Sequence, residues 1–333
     1  MIRDGHAPEA IDEAVRVLHA GGLMAFPTET VYGLGADAGN DAAVAGIFAA
    51  KGRPSDHPLI VHVAAGELGT EALSHFAQPL PLFAQKLVGA FWPGPLTLIV
   101  ARQLGIAASA AGGQDTIGVR CPSHPVAQTL LAACARQGVH GVAGPSANRF
   151  GRVSPTTALH VQEEFGDELL VIDGGPCEVG IESTIVDCSR GAPVLLRPGA
   201  ITRAQIEAAC GEALRNKDDL GVPDPRASGT LEAHYAPSAK VRLMEASALQ
   251  TGLDVLGANA AHIAVWSRTV LKSRSQRVLL RRMPDNASAA AQQLFAVLRA
   301  FDAEGVKLIW VETPPSQPEW EGVRDRLQRA AAA

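Results

Sequence analysis

The sequence predicts an α/β protein built from two domains. Short apolar runs alternate with segments of helical periodicity up to about residue 210, a pattern typical of a sheet flanked by helices. Residues 211–238 interrupt the alternation with charged residues, prolines and glycines, as a linker does. The 333 residues also exceed what one core usually holds. We therefore expect a first domain over 1–210, a linker over 211–238 and a smaller α/β domain over 239–333.

The expected elements follow from apolar periodicity and from the residues that end each segment. In the first domain, the pattern predicts helices over 9–19 and 41–50, the first of which ends at two glycines. The strands expected there are 23–26, 59–63, 96–101, 117–120, 139–143, 169–172 and 194–196. In the second domain we expect strands over 241–243, 262–265, 277–280 and 306–311 and a helix over 286–301. Periodicity alone favours a doubly wound parallel sheet for the first domain.

Composition restricts the class of protein. The chain is 47% hydrophobic and 19% charged, with a formal net charge of −5, which is typical of a folded globular protein. The N-terminal residues lack the basic and apolar parts of a signal peptide, and no apolar stretch approaches the ~20 residues of a membrane span. Five cysteines without paired CxxC spacing predict reduced thiols, a cytoplasmic location and no protein-built metal site.

The densest polar block follows the first predicted strand of the first domain and reads FPTETVYGLGADA. Pro27 ends strand pairing because it has no N–H. Gly33 and Gly35 are expected to let the backbone approach a ligand or adopt positive φ. The residues placed at this strand end are Thr28, Glu29, Thr30 and Tyr32. Such strand ends are where open α/β sheets bind small molecules.

Three further blocks repeat the arrangement of a strand with polar residues at its end. In GPSANRFGRVSPTT, Ser154 is expected to cap a helix whose first residue is Pro155. The other two blocks are GGPCEVGIESTIVDCS and VLLRPGAIT. The polar candidates in these three blocks are Ser146, Asn148, Ser154, Thr156, Ser183, Thr184 and Arg197.

The cationic candidates indicate what the strand ends would bind. They are Lys51, Arg53, Arg120 and Arg197. Arginine matches carboxylate and phosphate oxygens through two parallel hydrogen bonds, whereas lysine acts as a point charge. In an acidic chain, this set suggests a polyanionic ligand such as a nucleotide, together with a small carboxylate. From the residues alone, the alternative of solvated strand ends and a structural His62 stays open.

In order and content, seven separated motifs resemble the YrdC-type threonylcarbamoyl-AMP synthases. They are PTETVYGLG, KGRPSDHPLIVH, FWPGPLT, GVRCPSHP, PSANRFGRVSPT, ESTIVD and LRPG, and the resemblance covers about residues 10–203. The long form of this family adds a linker with a His-Tyr-x-Pro signature and a C-terminal domain. Here that signature is His234-Tyr235-Ala236-Pro237.

The resemblance implies a fold and a reaction. The implied fold is a YrdC-like twisted mixed sheet with a concave ligand-binding face, plus a small C-terminal Rossmann-like α/β domain. The implied reaction converts L-threonine, bicarbonate and ATP into L-threonylcarbamoyladenylate and pyrophosphate. This is the first step in forming threonylcarbamoyladenosine next to the anticodon of tRNA. Mg²⁺ is expected on the triphosphate, and the product is expected to pass to a tRNA threonylcarbamoyltransferase complex, with only indirect contact to tRNA.

The resemblance also implies roles for individual positions. Expected to bind L-threonine are Thr30, His62, Arg120 and Ser183. Expected to bind ATP are Arg53, His57, Thr116, Ser146, Ser154, Arg197 and Tyr235. Expected to take part in catalysis are Lys51, Arg53, Ser146 and Asn148. Tyr235 belongs to the segment expected to close over the site as a lid, which would exclude water.

His57 departs from the family pattern, which more often has asparagine at this position. Both side chains donate and accept hydrogen bonds, but histidine gains charge near neutral pH. We expect activity to persist with an altered pH response of ATP affinity, and a pH profile of ATP binding that is unaltered in His57→Asn would contradict this.

Two other classes of function are compatible with parts of the sequence. One is a carbamoyl-adenylate enzyme like the related domain of hydrogenase maturation proteins, but this chain lacks their paired CxxC motifs. The other is a non-enzymatic RNA-binding module, whose affinity would fall steeply with salt. The net negative charge argues against that module.

Overall fold

The computed structural model describes residues 1–219, 234–270 and 272–333. The chain forms two compact units, one of Met1–Phe150 with Ser154–Thr230 and one of Gly151–Val153 with Leu231–Ala333. Of the predicted linker, residues 220–233 lie outside the described residues. The domain limits at 210 and 238 stay predictions.

The first unit contains a large mixed sheet with helices around it. Its strands are β1 (Ile2–Asp4), β2 (Met24–Phe26), β3 (Gly33–Asp37), β4 (Ile60–His62), β5 (Leu96–Ala101), β6 (Thr116–Arg120), β7 (Val142–Ala143), β8 (Leu170–Asp173), β9 (Thr184–Asp187), β10 (Val194–Arg197) and β11 (Arg215–Asn216). Its helices are α1 (Pro8–His19), α2 (Asp41–Lys51), α3 (Gly66–Phe76), α4 (Leu82–Phe91), α5 (Pro125–Arg136), α6 (Ala158–Phe165) and α7 (Arg203–Cys210), followed by a 3₁₀ turn, Lys217–Asp219.

Among the described residues, eleven strands pair in the order β1-β8-β2-β3-β7-β4-β6-β5-β9-β10-β11. β4 pairs with β6 in parallel, whereas β5 is antiparallel to β6 and parallel to β9. The mixed, twisted sheet implied by the resemblance is therefore confirmed, and the parallel sheet favoured by periodicity alone is wrong. Arg215–Asn216, inside the segment predicted as linker, pair with β10 as β11.

The two faces of the central strands are both apolar, but they bury different clusters. Because side chains alternate across a strand, Val61 and Val119 join the large core shared with the helices. On the opposite face, a smaller cluster consists of Ile60, Ile99, Ile185, Val194 and Leu196. Burial on both faces explains why these strands read as apolar runs rather than as an alternating pattern.

The strand predicted over 139–143 and the glycines of the first polar block can be compared with the structure. The strand is reduced to β7, and Gly141, which precedes it, is packed so closely that an added Cβ would lie 2.6 Å from the Phe76 ring. Among the described residues, neither Gly33 nor Gly35 adopts positive φ, and the other expected role, close approach of the backbone to a ligand, stays a prediction. Both glycines lie against the Phe26 ring, at which an added Cβ would come within 3.0 and 3.2 Å.

The predicted helix start at Ser154 is wrong. Helix α6 begins at Ala158, and the Thr157 side chain caps it by accepting from the His160 N–H. The Ser154 hydroxyl instead donates to Glu182 at 2.5 Å. The Pro155 carbonyl accepts a hydrogen bond from the Tyr32 N–H at 2.9 Å. These long-range contacts hold the segment as a loop before the helix begins.

The second unit is a small parallel α/β structure, as predicted. Its strands are β12 (Lys240–Met244), β13 (Ile263–Ser267), β14 (Leu279–Arg282) and β15 (Leu308–Glu312). Its helices are α8 (Ala246–Leu256), α9 (Ala287–Ala303) and α10 (Glu321–Ala331), with 3₁₀ turns at Gly257–Asn259 and Pro318–Trp320. Within the described residues, four parallel strands follow the order β12-β15-β13-β14.

The segment Gly151–Val153 belongs to the second unit, although it lies between Phe150 and Ser154 in the sequence. The Ala236 N–H donates to the Gly151 carbonyl at 2.9 Å, and the Arg299 guanidinium donates to the Val153 carbonyl. The middle of the PSANRFGRVSPT motif is therefore held by one residue of the predicted linker and by one residue of α9.

Candidate functional site

The polar loop after β2 is fixed by its own threonines. The Thr28 hydroxyl donates to the Val31 carbonyl at 2.6 Å and lies 2.9 Å from the Thr30 hydroxyl. The Thr30 and Val31 N–H groups both donate back to Thr28 Oγ1 at 3.2 Å. Such local side-chain bonds favour a turn over continued strand, so Thr30 is held in one orientation.

Arg120, the last residue of β6, joins this loop. Its Nη1 donates to Thr30 Oγ1 at 2.7 Å, and its Nε donates to the Gly94 carbonyl at 3.3 Å. Its Nη2 lies 2.7 Å from Glu29 Oε1, and the two side chains are only 4% and 5% exposed. A buried guanidinium held on several sides is well suited to bind a carboxylate.

His62 lies beside Arg120 because the two residues are register partners on the parallel strands β4 and β6. Burial, followed by the charge of Arg120, lowers the pKa of His62 from 6.5 to about 3, so the ring is neutral at physiological pH. Its ring packs edge-on against Phe26. Within the described part of the chain, its Nδ1 is buried and has no hydrogen-bond partner, and it lies against Gly144, where an added Cβ would come 3.0 Å from it.

Ser183, just before β9, lies in a second polar cluster. Its hydroxyl is 2.7 Å from the Thr97 hydroxyl, and Arg197 Nη2 donates to it at 3.2 Å. Arg197 Nε also donates to the Ser183 carbonyl at 3.1 Å. Arg197 and Ile185 are register partners on β10 and β9, and Ile185 in turn pairs with Thr97 on β5. The cluster therefore continues across the strands next to Arg120.

Lys51 holds the loop that carries Ser146 and Asn148. Its Nζ donates to the Ser146 carbonyl at 2.6 Å and to the Asn148 carbonyl. Burial and the neighbouring Arg53 lower the pKa of Lys51, while Glu164 acts in the opposite direction. Lys51 is 3% exposed, so the structure shows it as the anchor of this loop.

Arg53 and His57 both contact the ring of Phe150. The Arg53 guanidinium is 5.8 Å from the centre of the Phe150 ring, and the His57 ring meets Phe150 edge-on at 5.7 Å. Arg53 Nη2 also donates to the Pro58 carbonyl at 2.9 Å. These contacts stiffen the segment between α2 and β4 that carries the predicted phosphate-binding cations.

Thr116 and Ser154, which were also predicted to bind ATP, lie apart from the contacts described above. Thr116 begins β6 opposite Ala101 and is half-buried, about 13 Å along the strand from Arg120 at ~3.3 Å per residue. It shares one face of the strand with Gly118 and Arg120. Ser154 is fully buried and donates to Glu182.

Tyr235 belongs to the second unit and adopts a φ of +62°. Its ring is buried, 5.3 Å from the Phe295 ring, and the Arg326 guanidinium lies 5.5 Å from its centre. The predicted closure of this segment as a lid stays a prediction.

The comparisons with known proteins agree with this architecture. The family model Sua5_yciO_yrdC, described as telomere recombination, matches residues 16–199, and the model of the threonylcarbamoyl-AMP synthase C-terminal domain matches residues 201–332. The threonylcarbamoyl-AMP synthase of Pyrococcus abyssi is 37% identical over 96% of this chain and 93% of its own. That of Bacillus subtilis is 37% identical over 96% and 92%.

Solved structures give the same result. The crystal structure of P. abyssi Sua5 in complex with L-threonine superposes with a TM-score of 0.84 at 36% identity, covering 96% of this chain and 94% of that one. The chain belongs to the threonylcarbamoyl-AMP synthase family. A P. abyssi Sua5 variant with a histidine and a tyrosine replaced by alanine matches at a TM-score of 0.86 and 35% identity, covering 99% and 96%.

Three residues of this candidate site were not assigned a role from the sequence. Glu29 pairs with Arg120, Thr97 contacts Ser183, and Glu182 accepts from Ser154. Each lies inside or directly beside a motif that was recognised. A carboxylate next to the predicted threonine-binding positions was the available signal for Glu29 and Glu182, whereas Thr97 shows only as one hydroxyl in an apolar strand.

Among the described residues, no helix is both long and apolar enough to cross a membrane. The same part of the chain contains no group of three or more His, Cys, Asp or Glu residues placed to hold a metal ion.

Proposed function

We propose that this protein forms L-threonylcarbamoyladenylate and pyrophosphate from L-threonine, bicarbonate and ATP. One observation supports the proposal most directly. Arg120 is buried, donates to Thr30 and lies beside the neutral His62. On the neighbouring strand, the hydroxyl of Thr97 contacts the hydroxyl of Ser183. These groups suit an amino acid that carries a carboxylate and a hydroxyl. The L-threonine complex of P. abyssi Sua5 supports the same substrate.

The chemistry needs positioning more than it needs a protein nucleophile. The amine of threonine reacts with bicarbonate to give a carbamate and water, and a carbamate oxygen then attacks the α-phosphorus of ATP. Pyrophosphate leaves, and the carbamate becomes joined to AMP. Binding both substrates in one orientation and neutralising phosphate charge supply most of the acceleration in such a transfer.

The roles proposed for individual residues follow this division. Arg120 binds the carboxylate of threonine, and Thr30, His62 and Ser183 orient the rest of the amino acid. The ATP-binding set is Arg53, His57, Thr116, Ser146, Ser154, Arg197 and Tyr235. Lys51 and Asn148 hold the loop over the phosphates. Mg²⁺ enters with ATP and would supply charge neutralisation on the triphosphate.

We further propose that the product passes to a tRNA threonylcarbamoyltransferase complex and that the protein works in the cytoplasm. All five cysteines, each within the described residues, are free and buried thiols. Burial raises the pKa of the Cys121 thiol to about 11 and that of Cys134 to about 12. Thiols of this kind are typical of a reducing compartment.

The decisive experiment measures pyrophosphate release by the purified protein with ATP, Mg²⁺ and bicarbonate, with and without L-threonine. We expect release that depends on both threonine and bicarbonate. Release that is independent of threonine would point to a different carbamoyl acceptor. Absence of release despite ATP binding would overturn the proposal.

A further inference from the structure

Glu29 is a buried carboxylate to which the motifs assign no role. It is 4% exposed. Its Oε2 accepts from the Ser123 N–H at 3.2 Å, and its Oε1 lies 2.7 Å from Arg120 Nη2. Its main-chain carbonyl accepts from the Val179 N–H at 2.7 Å. The residue is thus fixed at both ends, and its carboxylate faces the guanidinium.

The contacts of Arg120 leave a defined part of its guanidinium for a ligand. A guanidinium has five N–H donors in a plane. One N–H on Nε donates to the Gly94 carbonyl and one on Nη1 donates to Thr30. Nη2 forms an ion pair with Glu29 at 2.7 Å but, within the described residues, makes no hydrogen bond. At least one N–H on each Nη atom is therefore left, which is the number that a carboxylate needs for a bidentate contact.

Electrostatics explain why a carboxylate is needed at this place. An isolated buried guanidinium is costly, and removing one partner of a buried pair leaves an uncompensated charge. The neighbouring His62 is neutral, with its pKa lowered to about 3. Among the contacts recorded for Arg120 in the described residues, Glu29 is the group that carries a negative charge.

We propose that Glu29 is a positioning residue of the amino-acid carboxylate subsite, which sets the plane and the free N–H groups of Arg120. This inference rests on the proposed function. If the ion pair had only a structural role, its removal would lower stability and weaken the binding of threonine and of ATP to the same extent. A positioning residue affects the amino acid selectively, and it does so only through Arg120.

The test replaces Glu29 by Gln, which keeps the shape and removes the charge. A glutamine has only one acceptor oxygen. If that oxygen faces Arg120, the amide NH₂ faces the Ser123 N–H, so one of the two contacts of Glu29 is lost. The matched control is Glu13→Gln, since Glu13 forms an exposed pair with Arg3 at 3.1 Å. L-threonine and ATP binding are each measured by calorimetry, alongside thermal unfolding and the KM for each substrate.

For Glu29→Gln we expect the Kd and KM of L-threonine to rise roughly tenfold or more, because the buried guanidinium loses its charged partner, while those of ATP change less than about twofold. Glu13→Gln leaves all of them unchanged. In a background of Arg120→Ala, Glu29→Gln has no additional effect on threonine binding. If Glu29→Gln fails to fold, Glu29→Asp is measured in the same way, because it keeps the charge at a shorter reach.

Unchanged or tighter threonine binding in a folded variant would overturn the proposal, as would equal losses for threonine and ATP. An effect that persists without Arg120 would also overturn it. Measurements on the wild-type protein distinguish failure of the positioning role from failure of the proposed function. If it binds threonine and releases pyrophosphate, a silent Glu29 variant rejects only the positioning role, whereas a wild type that binds no threonine rejects both.

Discussion

His62 and Arg120 are register partners on neighbouring parallel strands, and each determines what the other can do. The guanidinium is the second cause, after burial, of the lowered pKa of the imidazole. A neutral imidazole in turn does not repel the guanidinium. One strand pairing therefore places a fixed positive charge beside a neutral ring that can either donate or accept a hydrogen bond.

Protonation of His62 should weaken the fold in acid. In the unfolded chain His62 takes up a proton below about pH 6.5, whereas in the folded protein it stays neutral down to about pH 3, because its pKa is lowered. The unfolded state binds more protons in this window, so stability falls as the pH falls, by about 1.4 kcal/mol per pH unit from this group. Urea unfolding of His62→Gln at a series of pH values should show a shallower decline. The exposed His19 provides the control in His19→Gln, and a slope equal to that of the wild type in both variants would contradict the prediction.

Arg197 should matter for both substrates, because it holds Ser183 through two hydrogen bonds, from Nε and from Nη2. Lysine presents one compact ammonium and cannot reproduce both bonds. We expect Arg197→Lys to raise the KM of ATP and also that of L-threonine, each by about tenfold. Steady-state kinetics with each substrate varied in turn measure this. The exposed Arg16 gives the control Arg16→Lys, and an effect confined to ATP would show that Ser183 is positioned without Arg197.

Lys51 should contribute to the stability of the loop as well as to phosphate binding. Lys51→Ala removes the donor to the carbonyls of Ser146 and Asn148, which costs about 1–3 kcal/mol when the acceptors are buried. We also expect weaker ATP binding. The control is Lys86→Ala, because Lys86 makes a similar bond to the Cys210 carbonyl at 3.2 Å. Chemical unfolding and calorimetry with ATP test both parts, and equal ATP affinity in the two variants would contradict the second.

Gly118 lies on the same face of β6 as Thr116 and Arg120, between predicted nucleotide and threonine positions. An added Cβ would come 3.2 Å from Ile99 Cδ1 and 3.6 Å from Ile60 Cγ1. Gly118→Ala should therefore fold, with a stability change of about 1 kcal/mol or less.

The added methyl group would take up space on the face of β6 between Thr116 and Arg120. We therefore expect the KM of ATP or of L-threonine to rise about tenfold. Gly89→Ala is the control, since an added Cβ there has no atom within 4 Å among the described residues. It should stabilise α4 by up to about 1 kcal/mol without affecting activity. Wild-type kinetics in Gly118→Ala would show that this face lies outside the site.

Much of the fold could be predicted from local pattern. Helix α1 and strand β5 lie within one residue of their expected limits, because their apolar periods and end residues agree. The start of α6 could not be predicted in this way. Ser154-Pro155 has the local chemistry of a helix start, but the hydroxyl of Ser154 bonds to Glu182, 28 positions away.

The candidate site shows the same division. The motifs indicated Thr30, His62, Arg120 and Ser183, because polar residues at the ends of apolar runs are visible in the sequence. Glu29 was visible in the same way as a polar residue at a strand end, but nothing in the sequence indicated that it pairs with Arg120. That contact depends on a loop and a strand end that are far apart in the chain.

The sequence by itself determined which segments are apolar, where polar residues end them and that a second α/β domain follows. Only the tertiary structure decided the order in which the strands pair, the register that makes His62 a neighbour of Arg120, and the approach of Thr30 to Arg120 across 90 positions. The physical reason is that periodicity and capping are local free-energy preferences. Register and buried ion pairs arise instead from contacts between distant segments, which form only when the sheet and its helices close around a common core.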